Sequence, residues 1–168
     1  RGLNTIFLQG DARDMDLPPN NFQSVIVMGG SFGYFVDEAM NQKILAETYR
    51  VLKPTGILLL DLPDRDFVLK NFTPFSTHNP GGTIQVTRNR ALSKDVIYCN
   101  EKVACSQKGL LRDNTYCIRL YSKDEISRIL EQTGFSGVSF QEDFMDRHEQ
   151  GDYGTMTTRM VVKSMKDG

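Results

Sequence analysis

The chain has no apolar run approaching the roughly 20 residues that a membrane-spanning helix needs, and no secretory leader opens it. The cytoplasm is the expected compartment, with no membrane partner. Nor is there an excess of one charge, since 20 lysines and arginines stand against 21 aspartates and glutamates, a net charge of -1. With the signs interspersed, nothing favours nucleic acid or an anionic surface. Cysteine is scarce: Cys99, Cys105 and Cys117 show no C-x-x-C spacing, so reduced structural thiols are expected rather than zinc ligands or disulfides. No G-x-G-x-x-G follows a strand, which argues against a dinucleotide-dependent oxidoreductase. Position 1 is Arg and not Met, so the sequence is expected to be a fragment or a processed chain whose first part lies elsewhere.

What is present is organised around Val25-Ile-Val-Met-Gly-Gly-Ser-Phe-Gly-Tyr-Phe35. Val25 to Met28 is an uninterrupted β-favouring run, the pattern of a strand covered on both faces. Gly29 and Gly30 then let the backbone turn sharply and approach a bound molecule. Open α/β sheets bind ligands in such a place, beyond the carboxyl ends of their strands. Thr5 to Gln9, ending in Gly10-Asp11-Ala12, and Ile57 to Asp61 read as two further strands. Before the last of these comes a helix: Asp37 caps it, Met40, Ile44, Leu45, Thr48, Val51 and Leu52 form its apolar stripe, and Pro54-Thr55-Gly56 stops it. Strand, helix, strand is a right-handed crossover unit.

Three segments together carry a family resemblance: Gly10-Asp-Ala-Arg-Asp-Met-Asp-Leu-Pro18, Met28-Gly-Gly-Ser-Phe-Gly-Tyr-Phe35 and Glu47-Thr-Tyr-Arg-Val-Leu-Lys-Pro-Thr-Gly-Ile-Leu-Leu-Leu-Asp61. In order and spacing they resemble the middle and later motifs of class I S-adenosylmethionine-dependent methyltransferases. Arg50-Val-Leu-Lys-Pro-Thr-Gly56 is the most specific of them, and Arg119 to Phe135 looks like the late helix of small-molecule members. The family's opening strand, glycine-rich turn and ribose-binding acid have no counterpart here. The fold so implied is α/β: a partial Rossmann-like class I methyltransferase sheet, its N-terminal strands absent, with an inserted antiparallel β lid. Residues 1–72 would be the partial core, 83–121 the lid, and 122–168 a C-terminal helix and strand pair completing the core.

The resemblance implies S-adenosylmethionine as cofactor and methyl transfer to an N, O or C atom of a small-molecule acceptor. Asp11 would accept from the adenine amino group and Ala12 would address the ring, with Arg13 beside them. Met28, Gly29, Gly30 and Ser31 would lie along the methionine part. Phe32, Tyr34 and Arg119 would face the acceptor, aromatic faces suiting a sulfonium cation. Tyr34 and His148 are the candidate catalytic groups, and His78 is the second imidazole available as a base. The alternative is a truncated, non-catalytic binding module. Because the missing strands lie between the family's third and fourth, the gap is expected to be filled by a longer parent chain, by a homodimer, or by Thr5 to Gln9 pairing directly with Val25 to Met28.

The remainder divides by period. Asp61, Asp64 and Asp66 read as solvated turn and capping acids, not a metal cluster. Phe67 to Phe72 reads as a short helix and Thr73 to Gly82 as a linker or mobile loop. Alternating runs from Thr83 to Leu120, with turns at Ser93-Lys-Asp95 and Gln107-Lys-Gly109, predict three antiparallel strands. Ser122-Lys-Asp-Glu125 is a capping box, stapled by Tyr121 on Ile126 and closed by Gly134. Val138 to Phe144 and Thr157 to Met165 read as the last two strands, with a polar segment, Asp146 to Gly154, between them.

Overall fold

The apolar run ending at Asp61 lies at the centre of the first sheet. In the computed structural model, which describes residues 5–141 and 158–168, it belongs to β2 (Leu52–Pro63). β2 pairs in parallel with β1 (Phe22–Val27) and antiparallel with β8 (Arg159–Lys166), which pairs in turn with β7 (Phe135–Gln141). The order is β1-β2-β8-β7. Strand alternation sends Leu58, Leu60 and Leu62 to one face, where all three are fully buried. There they meet Ile44 and Leu45 of α1 (Glu38–Val51) and Ile126, Ile129 and Leu130 of α3 (Lys123–Thr133). Each such leucine contributes about 1.5–3 kcal/mol.

Local signals set the helix ends. The Asp37 carboxylate accepts from the Ala39 amide at 3.0 Å, and Leu52 N–H closes α1 on the Thr48 carbonyl. Ser122 and Glu125 form the predicted reciprocal box, and Gly134 ends α3 at φ 106°. Pro54-Thr55-Gly56 does not separate helix from strand. It is a bulge inside β2, since Phe22 pairs with Leu52 but Ser24 with Ile57.

The second sheet has the order β3-β4-β5-β6, from Phe75–His78, Ile84–Ser93, Val96–Cys105 and Gly109–Arg119. The three predicted strands and both turns are present. The expected loop from Thr73 to Gly82 contains β3, a fourth strand too short to show a period: it pairs Phe75 with Asn89 through His78 with Val86. Before it, α2 (Arg65–Lys70) is capped by the Asp64 carboxylate on the Phe67 amide at 2.8 Å. Val68 of α2 packs with Ile97, Ile118 and Leu120, seating α2 on the second sheet.

Three expectations fail for physical reasons. Thr5 to Gln9 is not a strand: with no neighbour supplying a ladder its β propensity has nothing to pair with, and Ile6, Phe7 and Leu8 are left exposed. It does not cross to β1 either; among the described residues β1 pairs only with β2. β1 is not covered on both faces, because α1 and α3 lie on the same side of the sheet and Ile26 on the other is 59% exposed. Asp61 is not a solvated turn acid but a buried one. The Asp146 to Gly154 segment lies outside the described residues, as does the end of the strand predicted to reach Phe144. No helix among the described residues is long and apolar enough to cross a membrane.

Candidate active site

The site is built at the carboxyl end of β1. Arg50, the conspicuous residue of the Arg50 to Gly56 motif, orders the approach to it. Its guanidinium is held by Glu47 at 2.7 Å and donates to the carbonyls of Met15 and Leu17, both at 2.8 Å, while Glu47 also accepts from the Met15 amide. The motif thus fastens the segment after Asp11–Arg13 to α1.

The cleft that results has a volume of about 490 Å³ and is lined by Gly10, Asp11, Ala12, Arg13, Ser31, Tyr34, Phe35 and residues beneath them. That is the usual size of a small-molecule site, about 300–1,000 Å³. Asp11 accepts from the Arg13 amide at 2.9 Å and from its guanidinium at 2.5 and 3.0 Å. These bonds hold the carboxyl at a pKa of about 2, against an ordinary 3.8, so it stays ionised. Arg13 Nε also reaches the second oxygen at 3.1 Å, so Arg13 supplies two contacts to each carboxylate oxygen and a further N–H donor would take the place of one of them. The Arg13 guanidinium in turn lies 4.5 Å over the Phe35 ring.

Gly29 has φ 72°, and a Cβ placed on it would find nothing within 4 Å, so its backbone faces open space. Its N–H donates to Asp61 Oδ2 at 2.9 Å. Asp61 Oδ1 accepts from Arg159 Nε at 2.6 Å, and the guanidinium also donates to the Asp61 carbonyl at 2.8 Å. Asp61 is 4% and Arg159 2% exposed, so the turn rests on a buried ion pair linking β1, β2 and β8. Downstream, Asn41 clamps Phe35 by accepting from its amide at 3.2 Å and donating to its carbonyl at 2.9 Å. Neither Arg159 nor Asn41 was expected from the sequence. Asn41 could have been found, because it precedes Ile44 and Leu45 by a helical turn and a buried amide must be bonded.

The predicted residues separate. Asp11, Ala12, Arg13, Ser31 and Tyr34 come together in the cleft. Met28, Gly29 and Gly30 form the adjoining turn, fastened by the Ser31 hydroxyl on the Met28 carbonyl at 2.6 Å. Phe32 does not face the cleft: it is fully buried in the core, 5.3 Å from the Tyr121 ring. Arg119 lies in a separate groove with Glu38 and Tyr121, paired with Glu38 at 3.1 Å and donating to the Val36 carbonyl at 2.6 Å. His78 is in β3 rather than a loop. His148 lies outside the described residues.

The donors and acceptors present suit S-adenosylmethionine: an ionised acceptor beside a backbone N–H, two aromatic residues and a glycine turn open to a ligand. The fold is that of the class I S-adenosylmethionine-dependent methyltransferases, as the motifs imply. Residues 1–56 match the family described as a methyltransferase domain. The chain is 28% identical over 134 residues to a glycine/sarcosine N-methyltransferase of Aphanothece halophytica, covering 78% of this chain and 48% of that protein. It is 26% identical over 144 residues to the enzyme of the same name from Halorhodospira halochloris, covering 78% and 47%. It therefore spans about half the length of the curated relatives it matches. Among solved structures, an S-adenosylmethionine-dependent methyltransferase from Clostridium acetobutylicum superposes with a TM-score of 0.74 at 13% identity, over 95% of this chain and 63% of that one. The amino pentose methyltransferase CalS10 from Micromonospora echinaspora, solved with S-adenosylmethionine bound, gives 0.62 at 15% identity, over 92% and 62%.

Proposed function

We propose that this chain is the acceptor-side part of an S-adenosylmethionine-dependent methyltransferase acting on an amine nitrogen of a small molecule. The observation that carries the reading is the cleft itself, in which Asp11, Ala12, Ser31 and Tyr34 converge beside the open Gly29 turn. Glycine/sarcosine N-methyltransferases among the relatives support nitrogen as the acceptor atom. The cofactor supplies an electrophilic methyl group when bound. Asp11 and the Ala12 backbone bind its base, Gly29 gives it room, and Tyr34 and Phe35 present aromatic walls to a cationic centre. The second sheet acts as the lid, excluding water and positioning the acceptor, which is the larger part of what such a protein contributes.

The test is a nuclear magnetic resonance titration of the chain with S-adenosylhomocysteine. Saturable shifts are expected at the amides of Ala12, Gly29 and Ser31, with an apparent Kd in the high micromolar range or weaker. Asp11→Ala should weaken binding about tenfold or more, as loss of one charged hydrogen bond does. Shifts absent from these amides, or an unchanged Kd in the variant, would refute the assignment.

A further inference from the structure

Among the described residues, Asp11 and Arg13 are the only charged ones that line the cleft, and each is bonded to the other. Another part of the wall is Tyr34, which also lines a second cavity, of about 340 Å³, with Glu101, Arg112 and Tyr116. Of the contacts that Arg13 makes with the Asp11 carboxylate, one comes from its backbone amide, 2.9 Å from Oδ1. The others come from its side chain: Nε lies 3.0 Å from Oδ1 and 3.1 Å from Oδ2, and a terminal nitrogen lies 2.5 Å from Oδ2. The guanidinium also lies 4.5 Å over the Phe35 ring, with its other terminal nitrogen 3.7 Å from Met40 Sδ. It therefore occupies two things a ligand in this cleft would use, a carboxylate oxygen and an aromatic face.

The backbone around the pair is fixed and the side chain is not. The Asp14 amide closes a turn on the Asp11 carbonyl at 3.1 Å, Arg50 holds the carbonyls of Met15 and Leu17, and Asn41 clamps Phe35. The Arg13 side chain, by contrast, is 32% exposed and that of Asp11 49%. An exposed pair contributes little to stability and is screened by salt, so it can open while the fold stays intact. On opening, the Arg13 amide stays on Oδ1, whereas Oδ2 loses both of its donors and is left for a donor from a ligand. Protonation does not open the pair near neutral pH, because the carboxyl is held at about 2.

We infer that Arg13 is a gate on the cleft: its guanidinium occupies Asp11 Oδ2 and covers Phe35 in the free chain, and swings away from both when the cofactor enters. The inference rests on the methyltransferase reading, in which Asp11 binds the base. The amino group of the base takes the oxygen that the guanidinium leaves, and the Phe35 face is uncovered. Affinity is then set by a competition inside the protein, and ionic strength shifts it.

S-adenosylhomocysteine is titrated into the 168-residue chain and into Arg13→Ala, with the Arg13 Nε–H followed beside the Ala12 and Gly29 amides. At saturation the Nε–H signal should move to the position of an unbonded guanidinium and exchange faster with water. Arg13→Ala should bind about two- to fivefold tighter, the equivalent of one exposed ion pair. Arg13→Lys, which keeps the charge but not the fork, should fall between. Raising the salt from about 0.01 M to about 1 M, which shortens the Debye length from about 30 Å to about 3 Å, should close the gap between wild type and Arg13→Ala. Saturation at Ala12 and Gly29 with the Nε–H unmoved would overturn the gate and leave the cofactor reading standing. An Arg13→Ala affinity equal to or below that of the wild type would do the same. No shift at Ala12 or Gly29 in either chain would remove both.

Discussion

Removing the Arg159 side chain should cost more stability than any other single charge deletion in the described residues. Arg159→Ala leaves Asp61, 4% exposed, in the interior with the Gly29 amide as its remaining side-chain partner named above. Breaking a buried pair by deleting one member costs about 3–5 kcal/mol, because the survivor stays desolvated and unmatched. At about 2–4 °C per kcal/mol for a chain of this size, Tm should fall by about 6–20 °C. Asp61→Ala should also destabilise, by a smaller amount, because it removes the buried carboxylate but leaves Arg159 its bond to the residue 61 carbonyl. Replacing both partners with apolar residues of similar volume, Asp61→Leu with Arg159→Met, should recover most of the loss, since neither charge then needs solvating. Circular dichroism melts and urea titrations measure all three variants. The double variant separates stability from site geometry: its Gly29 amide has lost its acceptor, so S-adenosylhomocysteine affinity should drop while the fold holds. Single variants within about 1 kcal/mol of the wild type would refute the energetic argument. A double variant that binds normally would remove Asp61 from the positioning of the turn.

Three further outcomes follow from local chemistry. The Asp11 carboxyl should titrate near pH 2, and Arg13→Ala should return it toward 3.8, as read by carboxyl carbon shifts. Because its folded pKa is depressed, the pair's stabilising contribution is present above about pH 4 and lost as the pH falls toward 2; the groups are exposed, so the effect on unfolding should be small. Gly33→Ala should destabilise by about 2 kcal/mol or more, combining a positive φ with a collision, since the new Cβ would lie 2.8 Å from the Arg119 carbonyl oxygen at φ 94°. Gly137→Ala is the control, with φ 62° but nothing within 4 Å, and urea unfolding should show the smaller loss. Iodoacetamide at pH 8, followed by mass spectrometry, should label the half-exposed Cys105 before Cys99 and Cys117, which are buried; burial also pushes the Cys117 thiol up.

Elements with strong local signals were legible. The Asp37 cap, the Ser122–Glu125 box and the Gly134 stop were read correctly because each is satisfied within a few residues. The alternating strands of the second sheet were too, since antiparallel pairing across short turns writes its period into adjacent sequence. What failed depended on distant partners. Thr5 to Gln9 has the composition of a strand but no ladder to join, and β3 exists because β4 lies beside it. The same division runs through the site. Asp11, Ala12, Arg13 and Ser31, singled out by motif, line one cleft, but Phe32, in the same motif, points into the core. Asp61 looked like one of three turn acids; its role becomes visible only when Arg159, 98 residues away, is beside it.

The turn after β1 is fastened on three sides, and this constrains how the site can move. Gly29 is bonded to the buried Asp61, Phe35 to the buried Asn41, and Gly33 and Tyr34 to the end of β6. The first two anchors belong to the core sheet and its helix; the third belongs to the second sheet. Any displacement of that sheet that widened the cavity beside Arg112 would therefore pull on Gly33 and Tyr34 directly. The pull cannot pass freely to Gly29, because the Asp61–Arg159 pair resists it. Tyr34, 44% exposed and lining both cavities, is left as the residue that yields. The two cavities are thus joined through one side chain set between a rigid turn and a sheet edge. In amide spectra, Tyr34→Ala should accordingly shift signals in both cavities, Ser31 on one side and Tyr116 on the other, whereas Asp11→Ala should shift only the first; shifts confined to one cavity in Tyr34→Ala would refute the coupling.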